Sequence, residues 1–166
     1  MFVLFNVVKK NIVMVKMDEL DIKILSFLQN NSRMTIREIA KQLNISTTPI
    51  FNRIKRLEKE GVIDRYVAMV NAEKVGKMLF AFVFLSLKDH SKEAVENMEN
   101  QVIGFSEVLE CHYVTGGADF YLKVIVKDIK EYNAFISEKL FSVKNIGKIE
   151  SLLSLSMAKS TNVIPL

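Results

Sequence analysis

The 166-residue chain has one cysteine, two prolines, two histidines and no tryptophan. Cys111 alone cannot close an intramolecular disulfide, so the fold must rest on a packed core, and a reducing compartment suits it. Within its apolar stretch Cys111 reads as a small core residue, not a nucleophile. With one cysteine and no His-x-x-x-His or Cys-x-x-Cys spacing, His90 and His112 give no basis for a dedicated metal site. No motif asks for a cofactor. No apolar run reaches the ~20 residues of a membrane span, so no membrane partner is expected. Arginine is absent between residues 71 and 166, which argues against a site for a polyanionic substrate such as a tetrapyrrole. These absences point to a non-enzymatic cytoplasmic protein.

Residues 1–16 are apolar but broken by Lys9, Lys10 and Lys16, and the charge follows the apolar run, the reverse of a secretory signal. Two readings stay open: an extra edge strand, or an extension upstream of a natural start at Met17.

Hydrophobic residues make up 49% of the chain and charged residues 25%, enough to bury a core and to exclude wholesale disorder. The net charge of +4 is unevenly spread. Residues 1–17 carry three Lys and no acid, residues 18–70 nine Lys/Arg against seven Asp/Glu, and residues 71–166 eleven against twelve. The basic excess therefore lies early, and between Thr47 and Lys59 four of five charges are positive. A local basic helix is what phosphate contact requires, although charge alone fits an ordinary solvated face equally well.

The spacing predicts three helices in the first part. Leu20, Ile24, Leu25 and Leu28 recur at helical intervals after the acids Asp18, Glu19 and Asp21. Thr35 and Glu38 form a capping-box pair for a second helix with the stripe Ile36, Ile39, Ala40 and Leu43. After Asn44-Ile45-Ser46 a third helix runs from 47 to 60, with Ser46 as N-cap, Pro49 tolerated in the first turn and Gly61 as stop. Ala40 permits close helix approach, Ile45 is expected to plug the turn, and Ile50, Ile54 and Leu57 anchor the last helix. Its opposite face then presents Thr48, Asn52, Lys55, Arg56 and Lys59. Asn and Thr can read base edges, and Lys and Arg neutralise phosphates. Thr47 and Thr48 can also hold a phosphate at the helix start, with Arg33 and Arg37 reaching the backbone alongside. These mechanics point to double-stranded DNA, while trihelical units also serve as protein-binding modules.

Residues 62–70 read as an extended exit, 71–78 as a hinge and 161–166 as a tail. Between them, 79–160 alternates strand-like and helical periods: strands at 79–87, 107–114, 120–126 and 149–157, and helices at 91–102 and from Asp128 to about Leu140. Asp128 and Glu131 form a second capping box, and Ile129, Tyr132, Phe135, Ile136 and Leu140 are expected to be buried. The order is βαββαβ, a ferredoxin-like arrangement. The fold class is thus α+β, a helix-turn-helix (winged-helix-like) domain over 17–70 followed by a ferredoxin-like domain over 79–160. The strands LFAFVFLSL and FYLKVIV are apolar at nearly every position, so both sheet faces should be covered. Two helices cover one face. A second copy of the chain, or a tightly wrapped monomer, covers the other.

The chain resembles the Lrp/AsnC family of leucine-responsive and asparagine-operon regulators over nearly all of residues 17–160. The resemblance rests on four motifs in order and at matching separations. They are Met17-Asp-Glu-Leu-Asp-Ile-Lys-Ile-Leu, the segment from Ile45-Ser to Arg53-Ile-Lys-Arg-Leu-Glu, Gly61-Val-Ile, and Val114-Thr-Gly-Gly-Ala-Asp-Phe-Tyr. It implies a sequence-specific DNA-binding transcription regulator, a homodimer that often assembles to a tetramer or octamer, and an amino-acid effector held at a cleft between subunits. Carried onto this chain, the effector candidates are Thr115, Gly116, Gly117, Ala118, Asp119 and Tyr121, with Ser151 and Ser154 from the last strand. Turn glycines let backbone amides approach a carboxylate, and Asp119 would pair with an α-ammonium, although Gly116-Gly117 also suits a plain tight turn. The sequence departs from the commonest pattern at Gly117-Ala118, where bulkier side chains are usual.

Overall fold

The structure, a computed structural model, describes residues 14–166, so most of the 1–16 segment lies outside the described residues. The chain divides into two compact units, one running to Met69 and including Ser160–Leu166, the other spanning Val70–Lys159. No helix among the described residues is long and apolar enough to cross a membrane.

The first unit is three helices: α1 (Glu19–Asn30), α2 (Ile36–Leu43) and α3 (Thr47–Lys59). Side-chain caps set where the first two begin. The Asp18 carboxylate accepts from the N–H groups of Leu20 and Asp21, and the Asp21 carboxylate accepts from Asp18 N–H. Thr35 and Glu38 close the expected reciprocal box on α2. Ser46 occupies the N-cap of α3 but makes no side-chain cap bond. Asn44, left-handed at φ 54°, turns the chain between α2 and α3, and Gly61 at φ 71° ends α3. Residues beyond Gly61 carry no further helix or strand until Glu73. Ile24, Ile39, Ala40, Ile50 and Ile54 form the core, with Leu57 fully buried. Ile45 does not plug the turn: it is 36% exposed, because the left-handed Asn44 lets its backbone N–H bond Ala40 O while the side chain stays at the surface.

The second unit is β1 (Leu79–Leu87), α4 (Lys92–Val102), β2 (Val108–Tyr113), β3 (Phe120–Val126), α5 (Ile129–Ala134) and β4 (Ile146–Leu153). The antiparallel sheet runs β2-β3-β1-β4, the ferredoxin-like order. α5 widens into a π turn over Phe135–Lys139 and tightens into a 3-10 turn over Leu140–Ser142. The last strand starts and ends earlier than the 149–157 expected. Asn145 at φ 74° turns the chain back so that Ile146 already pairs with Leu87, and pairing ends with Leu153 opposite Ala81 near the start of β1. Asp128 caps α5 by accepting from Glu131 N–H. Glu131 does not return the bond; its carboxylate accepts from Lys127 N–H and pairs with Lys77. Ile129, expected in the core, is half exposed.

Alternation sorts the strands into two faces. Ala81, Val83, Leu85 and Leu87 of β1 and Phe120, Leu122, Val124 and Val126 of β3 pack on Met98, Val102, Tyr132, Phe135 and Leu140 of the helical layer. The other face carries Phe80, Phe82 and Phe84 beside Tyr121 and Ile125, all half-buried, and no described element of this unit covers it. Phe82 and Phe84 approach Tyr121 at 5.9 and 5.6 Å between ring centroids.

Candidate functional sites

The first site is the exposed stripe of α3. Ile50, Ile54 and Leu57 bury one side of the helix, and Thr48, Asn52, Lys55 and Lys59 repeat at i, i+4, i+7 and i+11 on the opposite side. All four are exposed. Lys55 donates to the Glu58 carboxylate at 2.8 Å but remains 60% exposed. Among the described residues Lys59, Arg33 and Arg37 form no ion pair. Thr47 sits at the exposed start of the helix. Phe51 is 45% exposed beside the stripe.

Arg56 is not on that stripe. Its guanidinium turns to the α1 side and donates through Nη2 to Asp21 Oδ2, while Arg53 Nη1 donates to Asp21 Oδ1 at 2.8 Å and to Asp18. The helical period accounts for this: Arg53, Arg56 and Glu60 fall on a flank between the buried and exposed faces. Asp21 is the one buried charged residue among those described, 1% exposed. Burial alone would push its carboxyl up; the Asp18 N–H and the two guanidinium groups outweigh that and hold it below the ordinary carboxylate range.

The second site is an open pocket of about 790 Å³ at the end of the sheet. Val114, Thr115, Gly117 and Ala118 of the β2–β3 turn form one wall. Phe84 and Tyr121 form the floor, and Glu150, Ser151 and Leu152 of β4 the other wall. Gly116 shapes the turn at φ 125°, a conformation open to glycine, without lining the pocket. Asp119 is placed away from the lining. Its carboxylate accepts from Leu87 N–H at 2.7 Å and lies 3.1 Å from His90 Nε2, so it ties the hairpin to the end of β1. Ser154 also lies outside, its hydroxyl donating to Ser156 O. The Ser151 hydroxyl accepts from Tyr132 of α5, and Ser151 pairs with the core residue Val83, so its side chain belongs to the helix-side layer. Glu150 and Leu152, one residue to either side, face the pocket. Glu150 pairs with Lys148 at 2.5 Å and is the one carboxylate of the lining.

Residues 80–164 match the Lrp/AsnC ligand binding domain, and residues 17–64 match a winged helix-turn-helix DNA-binding domain. The chain belongs to the Lrp/AsnC family. The Bkd operon transcriptional regulator of Pseudomonas aeruginosa is 31% identical to it over 153 residues, covering 92% of this chain and all of that protein. The leucine-responsive regulatory protein of Haemophilus influenzae is 32% identical over 150 residues, 90% of each chain. A Neisseria meningitidis transcriptional regulator, solved as its L-methionine complex, superposes with a TM-score of 0.86 at 32% identity, covering 90% of this chain and 97% of that one. As an Lrp/AsnC protein the chain is a transcription regulator, with a helix-turn-helix unit for DNA and a ligand-binding unit built on the four-stranded sheet.

Of the eight effector candidates in this Lrp/AsnC chain, five line the pocket: Thr115, Gly117, Ala118, Tyr121 and Ser151. The other lining residues, Phe84, Val114, Glu150 and Leu152, were not among the candidates. A signal for three of them existed in the strand alternation. Phe84 pairs with both Tyr121 and Glu150, and Leu152 lies two residues beyond Glu150, so once the register is known all face one side.

Proposed function

We propose that this regulator lays Thr48, Asn52, Lys55 and Lys59 into the major groove of double-stranded DNA, with Thr47, Arg33 and Arg37 on flanking phosphates, and that it senses an amino acid in the sheet-end pocket. It acts in the cytoplasm as a homodimer joined through the open sheet face, which assembles further to a tetramer or octamer and sets the pocket at a subunit boundary. Effector occupancy shifts that assembly or the spacing of the two recognition helices.

The observation that carries the sensing half is the chemistry of the lining. Turn backbone at Thr115, Gly117 and Ala118 can meet a carboxylate, Glu150 can meet an ammonium, and Phe84, Tyr121 and Leu152 offer apolar contact to a side chain. That set suits a zwitterion with an apolar side chain, and L-methionine in the Neisseria meningitidis relative is such a molecule.

A thermal-shift series over the twenty amino acids tests it. At a hundredfold excess over Kd a ligand specific for the native state adds about 2.7 kcal/mol, which raises Tm by about 5–10 °C for a chain of this size. Light scattering on each stabilising amino acid reads the assembly. If no amino acid moves Tm at millimolar concentration, the sensing half fails.

Base reading is tested separately. Asn52→Ala, assayed against duplexes selected from a random pool, is expected to reduce discrimination at one base position by about 5- to 150-fold, the equivalent of ~1–3 kcal/mol. Random-sequence affinity should change far less. Equal losses on every duplex would show that Asn52 reads no base.

A further inference from the structure

We infer that Asp21 is a positioning residue for DNA binding, which holds Arg53 and Arg56 against α1 and so keeps two cations of the recognition helix off the DNA. Both carboxylate oxygens are used. Oδ1 takes Arg53 Nη1, and Oδ2 takes Arg56 Nη2 together with the Asp18 N–H. Asp18 adds a second carboxylate on Arg53 at 2.7 Å. Two anions therefore balance two cations in one cluster, and neither guanidinium brings net charge to the exposed stripe.

The geometry makes release costly. A carboxylate only 1% exposed is stable as a charge only while its partners stay, so Arg56 reaching out to a phosphate would leave Asp21 buried with one cation fewer. Arg56 Nε, buried and without a hydrogen-bond partner, lies 3.9 Å from Glu60 Oε2, so a further carboxylate stands beside this guanidinium. In the amino-acid sequence alone, Lys55, Arg56 and Lys59 look like equivalent phosphate contacts, with Arg53 a fourth cation of the same helix. The cluster divides them into two kinds. Lys55 and Lys59 face outward, and Arg53 and Arg56 fix the angle of α3 on α1.

A functional consequence follows. Phosphate contacts raise affinity for every sequence, whereas Thr48 and Asn52 can distinguish bases. Withholding two arginines lowers sequence-independent binding and leaves base contacts a larger share of the whole, so Asp21 tunes the ratio of specific to non-specific affinity. The inference rests on the proposed α3 stripe, and its test separates the two.

The experiment measures the salt dependence of full-length protein binding to a random-sequence duplex by fluorescence anisotropy. Each phosphate contact contributes about 0.9 to the slope of log Kobs against log[KCl]. Lys59→Ala is expected to flatten the slope by about that amount per engaged subunit, and Arg56→Ala to leave it unchanged. Asp21→Asn, which frees the arginines, is expected to steepen the slope, and adding Arg56→Ala to Asp21→Asn to remove part of that gain. Asp21→Glu, which keeps the charge, should restore the original slope. A slope flattened equally by Arg56→Ala and Lys59→Ala overturns the positioning role while leaving the stripe intact. No effect of Lys59→Ala overturns the stripe and the positioning role with it. Asp21→Asn that only lowers Tm, with the slope unmoved, reduces Asp21 to a structural residue. If Asp21→Asn does not fold, the comparison of Arg56→Ala with Lys59→Ala still decides, because Arg53 remains to pair Asp21 in the first and the second is exposed.

Discussion

Replacing Lys55 and Lys59 together by alanine is expected to weaken binding to any duplex by at least on the order of 100-fold at 0.1 M salt, and to lower the salt slope by about 1.8 for each engaged subunit. The size follows from counterion release: a slope contribution of ~0.9 per contact is nearly a factor of ten at that salt concentration, and two contacts multiply. Folding should be untouched. Both side chains are exposed on the side of α3 opposite Ile50, Ile54 and Leu57. The Lys55–Glu58 pair at 2.8 Å is an exposed i,i+3 contact, worth at most a few tenths of a kcal/mol to the helix, so it does not hold Lys55 back from a phosphate. Anisotropy titrations over a range of KCl, with a melting curve for each variant, check the expectation. Wild-type affinity and slope in the double variant would remove α3 as the DNA-contacting helix.

The stripe itself was legible in the sequence because its determinants are local. The periods of Ile50, Ile54 and Leu57, the Thr35–Glu38 box and Gly61 are separated by a turn or two, and near-neighbour rules reach that far. What escaped was set by partners far along the chain. Arg53 and Arg56 find Asp21 thirty-two and thirty-five residues upstream, and nothing in the recognition helix announces that two of its four cations are spoken for. Asp119 was given to the effector because a carboxylate beside turn glycines suits an ammonium. The fold instead brings Leu87 N–H and His90 to it across 32 and 29 residues.

The pocket shows the same division. Its turn wall is one contiguous segment, and the family resemblance at Val114–Tyr121 pointed to it. Its β4 wall depends on register, and register in an antiparallel sheet is a property of the pair, not of either strand. Ser151 and Glu150 are adjacent, so assigning the right strand still leaves the choice between the residue that meets Tyr132 on the helix side and the one that meets Phe84 on the other. The π turn at Phe135 and the earlier start of β4 at Ile146 are likewise tertiary. Phe135 is buried in the core with its ring edge-on to Phe105, and the helix widens there instead of continuing its 3.6-residue period.

The open sheet face leads to the second large effect. Phe82→Lys is expected to weaken self-association by more than 100-fold, seen by light scattering as a fall to the mass of a single chain, and to lower DNA affinity with it. Phe80, Phe82 and Phe84 with Tyr121 and Ile125 make an apolar surface that water would disfavour at about 25 cal/mol for each Å² left exposed. In the dimer proposed above, a second copy of the same sheet would cover it under a two-fold axis. Lysine at position 82 would place a cation in the middle of that surface, twice per dimer. Its cross-strand neighbours are Leu152 and Lys123; Glu110 is already held by Lys123 at 2.8 Å and Glu150 by Lys148, so the new charge meets no unpaired carboxylate. An unpaired buried charge costs several kcal/mol, and each 1.4 kcal/mol is a factor of ten in association. In a lone chain the same position is half-exposed and the lysine would reach water, so little intrinsic stability is lost. Two recognition helices bind one site together only while the subunits stay joined, and separation therefore removes the multiplication of their affinities. Unchanged mass and unchanged DNA binding in Phe82→Lys would mean that the sheet is not where two copies meet.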